Sequence, residues 1–92
     1  MHPDDGRSAI LAAARAISEL RLGRVDGDST ANVGTISGGT ATNIVPEWCT
    51  FVAEVRSQDE AKLADLVQEM QDAITFAANV ADCAVETRAR KS

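Results

Sequence analysis

Residues 38–46, Gly38-Gly39-Thr40-Ala41-Thr42-Asn43-Ile44-Val45-Pro46, decide how this chain is read. The stretch lies between two segments with strand character and is longer than a hairpin requires. Two glycines alone turn a chain, because glycine adopts backbone angles closed to other residues. A small polar run ending in Asn-Ile-Val-Pro therefore calls for a further reason, and the flanking sequence supplies the frame for one.

On the C-terminal side, residues 49–56 alternate cleanly. Cys49, Phe51, Ala53 and Val55 share one face, and Thr50, Val52, Glu54 and Arg56 share the other, as in a strand with one buried side. On the N-terminal side, 31–37 is β-branched with weaker alternation and reads as a strand. Further upstream, Ile10, Ala13, Ala14, Ile17 and Leu20 recur at helical spacing, and Gly23 is placed to end that helix in a left-handed conformation. The polar run 24–30 reads as a connection. Downstream, Ser57 and Glu60 have the form of a capping box. Leu63, Leu66, Val67, Met70, Ile74, Ala77 and Ala81 then line a second helix, about 35 Å long at roughly 1.5 Å per residue. A last strand is expected over 83–90, where Val85 and Thr87 alternate with Glu86 and Arg88.

Helix, strand, strand, helix, strand is the order of an α+β sandwich, with both helices on one face of an antiparallel sheet. The split βαβ plan, strand-helix-strand twice over, needs one more strand before the first helix. Ninety-two residues are enough for one small domain. Its hydrophobic content of 45% is that of a folded chain, while aromatics make up only 3%, so Ala, Val, Ile and Leu must fill the core. Small side chains bury little area, and stability is expected to be modest without a partner surface.

The formal charge of −5 argues against a nucleic-acid partner, which requires a basic stripe to neutralise phosphates. No apolar run approaches the roughly 20 residues of a membrane span, and residues 1–6 lack the features of a signal peptide. Cys49 and Cys83 form neither a CxxC pair nor a disulfide framework, and a cytoplasmic setting with reduced thiols is expected. The one histidine, His2, stands beside Asp4 and Asp5. It falls short of the three or more ligands of a catalytic zinc site and reads as a solvated terminal side chain. The cysteines occupy apolar strand positions without a second histidine to activate them, so no catalytic residue and no metal ligand are assigned. Asn43 and Arg56 remain. Asn43 either caps a turn or reaches a ligand. Arg56 either pairs with Glu54 at the surface or clamps a carboxylate bidentately.

These residues also carry a resemblance. Pro3-Asp4-Asp5-Gly6-Arg7-Ser8-Ala9, Leu22-Gly23-Arg24-Val25-Asp26, Asn32 through Pro46, and Glu54-Val55-Arg56-Ser57 occur in order over nearly the whole chain. Together they resemble the lid, or dimerisation, domain of the zinc peptidase family that includes peptidase T, acetylornithine deacetylase and glutamate carboxypeptidase, and its tripeptidase branch in particular. The resemblance implies a ferredoxin-like two-layer fold, a homodimer formed through the lid, and two zinc ions held by a separate catalytic domain. It implies that Asn43 and Arg56 grip a peptide substrate, Arg56 by its carboxylate, and that Gly38 and Gly39 shape the loop that places Asn43.

Two departures accompany the match. The family's His-Ala-Gly stretch has no counterpart here, and His2 does not replace it. The first strand of the ferredoxin-like plan is expected to be absent with it. Residues 1–92 therefore read as a single lid domain, excised or truncated from a larger enzyme and inactive alone. Its sheet is expected to compensate by closing up, exchanging segments or pairing edges. The rival reading is a free-standing regulatory module of the same sandwich type that binds a small metabolite.

Overall fold

The first element of the described residues is rich in alanine. Helix α1 spans Ala9–Ser18 in the computed structural model, which describes residues 8–89. The Ser8 hydroxyl caps it by accepting from the Leu11 N–H at 3.1 Å. Ala13 and Ala16 are its buried residues, and alanine there lets the helix lie close to its neighbours. The helix stops five residues short of Gly23. Its end tightens into i→i+3 bonds, Glu19 N–H to Ala16 C=O and Leu20 N–H to Ile17 C=O, and Leu20 turns into the core.

That early stop frees Gly23 for a different role. Gly23 has the expected positive φ of 83°, but it opens a two-residue strand, β1 (Gly23–Arg24), rather than ending a helix. Strand β2 runs Ser29–Gly38 and β3 runs Cys49–Ser57; the sheet order is β1-β2-β3, all antiparallel. The polar run after Gly23 is thus the arm and turn of a short hairpin. Its turn is held by Asp28 N–H to Asp26 Oδ1 at 2.8 Å and Lys62 Nζ to Asp28 Oδ2 at 2.9 Å.

Between Val33 and Thr35 the β2–β3 register slips by one residue at Gly34. Ser29, Ala31 and Val33 lie opposite Ser57, Val55 and Ala53; beyond the slip, Ile36 and Gly38 lie opposite Phe51 and Cys49. The bulge restores the inward phase for Ile36, which explains the weak alternation of this strand's sequence.

Helix α2 (Glu60–Val80) is 21 residues, about 32 Å, long. Its N-cap is Asp59, whose carboxylate accepts from Ala61 N–H at 2.9 Å and Lys62 N–H at 3.3 Å. The expected capping box on Ser57 does not form, because Ser57 still belongs to the ladder. It accepts a hydrogen bond from buried Ser29 at 2.8 Å and supports the Asp59 N–H from behind. At the far end Cys83 N–H reaches Ala78 C=O and Asp82 N–H reaches Asn79 C=O, a Schellman closure with Asp82 at φ 55°.

Both helices contact β3, giving the two-layer α+β sandwich expected, around a core of Leu20, Ala31 and Met70. The expected last strand is not formed: 83–89 have no strand structure, and β3 carries no second neighbour among the described residues. A strand needs a ladder partner, and this segment pairs with none among the described residues. Among the described residues the sheet does not close up on that side of β3. Residues 1–7, which include His2 and the Pro-Asp-Asp-Gly stretch, and Arg90 lie outside the described residues.

Met70→Ala is expected to lower unfolding stability by about 2–4 kcal/mol, read by urea denaturation, since Met70 is a large side chain in a core otherwise rich in alanine. Gly38→Ala should destabilise by about 1–3 kcal/mol, because its Cβ would stand 2.6 Å from the Trp48 carbonyl oxygen. Gly27→Ala, with open space around it, should leave the midpoint unchanged. Asp26 titrates below the usual carboxylate range, chiefly because the Asp28 amide donates to it, with Ser29 and Lys62 adding. A lowered folded pKa stabilises above the unfolded value, near pH 4, and is lost as pH falls through the folded one. The acid limb of stability should therefore be shallower in Asp26→Asn.

Candidate functional site

The residues singled out from the sequence sit at two ends of one hairpin. At one end, the loop after Gly38 leaves the sheet, runs 39–48 and returns into Cys49. Both glycines answer a geometric need. A Cβ on Gly38 would meet Trp48 C=O at 2.6 Å and Cys49 Cα at 3.1 Å, so the last rung of the ladder admits no side chain there. Gly39 has φ 83°, and a Cβ there would press Ile10 Cδ1 at 3.2 Å.

The loop is then tied down behind Asn43. Ile44 N–H bonds Ala41 C=O at 3.3 Å, closing a turn with Asn43 inside it. Ala9 N–H donates to Pro46 C=O at 2.9 Å, fastening the loop to the first turn of α1. Asn43 is exposed, and its side-chain amide makes no hydrogen bond to a described residue. The amide is held out on an anchored loop, with neither its donor nor its acceptor engaged by a described residue.

Arg56 lies at the opposite end, on the open face of the sheet, across from Thr30 in the register. Its Nε donates to Glu54 Oε1, the surface pairing that the spacing allows. Seven residues of β3 separate Arg56 from Cys49, about 23 Å at strand rise, and the loop lies beyond. The fold thus does not bring Asn43 and Arg56 together within one chain. Sequence adjacency gave no warning of this; the strand's length does.

The two cysteines converge instead. Both are unpaired and half-buried, and both line a cavity of about 170 Å³ with Ala12, Phe51, Ile74 and Ala78. Burial pushes the Cys49 thiol up, which makes it a poorer nucleophile. Among the described residues, no group of three or more His, Cys, Asp or Glu side chains is placed to hold a metal ion. The hairpin therefore offers neutral amide and guanidinium donors at two exposed ends.

The carboxylate and lysine group at the β1–β2 turn escapes a reading of the sequence. Lys62 bonds Asp28 and comes within 4.0 Å of Asp26, and the hydrogen bond to Asp28 raises its pKa. Asp-Gly-Asp before a strand was a turn signal; that Lys62 would answer it from 34 positions away was not legible.

Solved structures of two peptidases share the fold. The aminopeptidase PepT from Bacillus cereus superposes with a TM-score of 0.82 at 41% identity, over 87% of this chain and 21% of that one. A tripeptidase from Staphylococcus aureus superposes with a TM-score of 0.77 at 45% identity, over 84% and 21%. The indole-3-acetyl-aspartic acid hydrolase of Enterobacter agglomerans is 34% identical over 88 residues, 94% of this chain and 20% of that protein. The chain thus spans about a fifth of the length of the relatives it matches. Residues 1–81 match the family model described as peptidase dimerisation domain, and with most of its length inside that model the chain belongs to the peptidase dimerisation domain family.

Proposed function

We propose that this chain is the lid and dimerisation domain of a zinc-dependent tripeptidase- or aminopeptidase-like enzyme, that two copies associate through it, and that it grips peptide without breaking bonds. The observation that carries this reading is the asymmetry of the match: 87% of this chain is covered, against 21% of the aminopeptidase PepT. Two zinc ions would be held by a separate catalytic domain, as the resemblance implies; among the described residues no group of side chains fits a zinc site. No catalytic step is assigned to its residues. The two unjoined thiols support a cytoplasmic setting.

Self-association is supported by the outer edge of β2. Strand β1 pairs only with Thr30 and Ala31, so 32–38 present backbone donors and acceptors with no strand neighbour on that side among the described residues. Ile36 on that edge is 52% exposed although it shares a face with half-buried Phe51. A second copy laid along β2 extends the sheet and covers Ile36. Light scattering on the eluting chain should then give twice the monomer mass. Ile36→Glu should return it to the monomer, and Val52→Glu, on the open face, should not. A wild-type monomer at all concentrations would defeat this interface.

Asn43 and Arg56 are the substrate-holding residues of this reading, and their separation divides the work. An extended tripeptide spans about 10 Å, less than half the distance along β3. Each chain therefore offers Asn43 to one active site of the dimer and Arg56 to the other. In the intact enzyme, Asn43→Ala and Arg56→Ala should each impair peptide hydrolysis mainly through KM. Mixed heterodimers of the two variants should recover activity, because one of their two sites then receives both native side chains. No recovery would place both residues at one site or at none.

A further inference from the structure

Among the described residues three arginines are paired with glutamates, and they are not paired alike. Arg21 gives Nε to Glu69 Oε2 at 2.9 Å and Nη2 to Glu69 Oε1 at 2.8 Å, a fork fully used. Arg88 gives Nε at 2.9 Å and Nη2 at 2.8 Å to Glu86 Oε1. Arg56 gives Glu54 only its Nε. Neither terminal nitrogen of Arg56 meets a described residue. Arg56 is thus both held and unspent.

The sheet explains the difference. Glu54 and Arg56 are two apart on β3, so both project from the open face, where their side chains are 60% and 78% exposed. Their cross-strand partners, Asn32 and Thr30, are short and uncharged and offer no rival ion to the guanidinium. An unheld arginine at such a site would sweep through many rotamers, and ordering it on binding costs affinity. Contact at Nε removes part of that freedom. It also leaves the Nη1–Nη2 end free, and that end can accept a carboxylate through two parallel bonds.

We propose that Glu54 is a positioning residue: it holds Arg56 by Nε so that the terminal fork stands ready for the C-terminal carboxylate of a peptide. This rests on the reading that Arg56 grips that carboxylate. Glu54 itself touches no substrate, and its acceptor oxygen matters more than its charge. The gain is one of preorganisation, realised in binding and not in bond breaking.

The test is steady-state kinetics of the intact peptidase on a tripeptide with a free C-terminal carboxylate and on the same tripeptide as its C-terminal amide. Glu54→Ala should raise KM for the free acid about three- to fivefold with kcat unchanged, the range of an exposed charged contact. KM for the amide should not move, which a general structural defect would not spare. Glu54→Gln keeps an acceptor at the same reach and should stay near wild type. If Arg56→Ala raises KM for the acid while Glu54→Ala leaves it unchanged, Glu54 does not position Arg56 and the proposal falls alone. A lowered KM in Glu54→Ala would make Glu54 a competitor for the fork and overturn it too, as would an equal change for acid and amide. If Arg56→Ala has no effect on the acid, the reading of Arg56 fails and the proposal fails with it.

Discussion

The architecture depends on a slip of one residue in the β2–β3 ladder. A strand's side chains alternate with a period of two, so one extra residue on β2 exchanges the faces of everything beyond it. Gly34 is that residue. Before it, Ser29, Ala31 and Val33 face the helices; after it, Ile36 and Gly38 do, in place of Thr35 and Ser37. Without the slip, Thr35 and Ser37 would face the helix layer and Ile36 the open side. With it, Gly38 reaches the last rung opposite Cys49, where only glycine fits beside the Trp48 carbonyl. The loop that carries Asn43 departs from that rung.

The two ends of the hairpin are secured by different means. At the Arg56 end a polar network joins sheet, turn and helix: Ser29 to Ser57, Gln58 N–H to Asp28 C=O, Lys62 to Asp28, and the Asp59 cap. Most of these groups are exposed, so each bond contributes little alone, but together they fix where β3 ends and α2 begins. At the Asn43 end the anchors are backbone contacts: Ala9 to Pro46, and the close approach at Gly38. The rigid ladder between them keeps Asn43 and Arg56 a strand's length apart. In the proposed dimer that separation becomes reach toward two sites.

Much of this was legible in the residues. The alternation of β3 placed Arg56 on the open face, and the 3.6-residue stripe of α2 named Leu66, Met70 and Ala77 as core. The glycines of the loop announced a conformation that other residues do not adopt, and Gly39 has it. The misses share a cause. Helix α1 ends at Ser18 because Leu20 is wanted in the core and Arg21 by Glu69, and neither partner is near in sequence. Ser57 cedes the cap to Asp59 because its hydroxyl is already engaged by Ser29, 28 positions away. Residues 83–89 alternate as a strand should, yet alternation supplies a face and not a neighbour.

The order of residues alone set the local phase of each element, the glycine-dependent turns and the motif order that relates the chain to peptidase lids. These follow from steric limits and periodicity within a few residues, which any chain carries in its composition and spacing. Folding in three dimensions settled which caps were used, where the register slipped and which strands found partners. It also settled that Asn43 and Arg56, thirteen positions apart, would stand at opposite ends of one strand. Those outcomes depend on which groups compete for the same hydrogen bond or the same buried position, and the competitors meet only when the chain is folded.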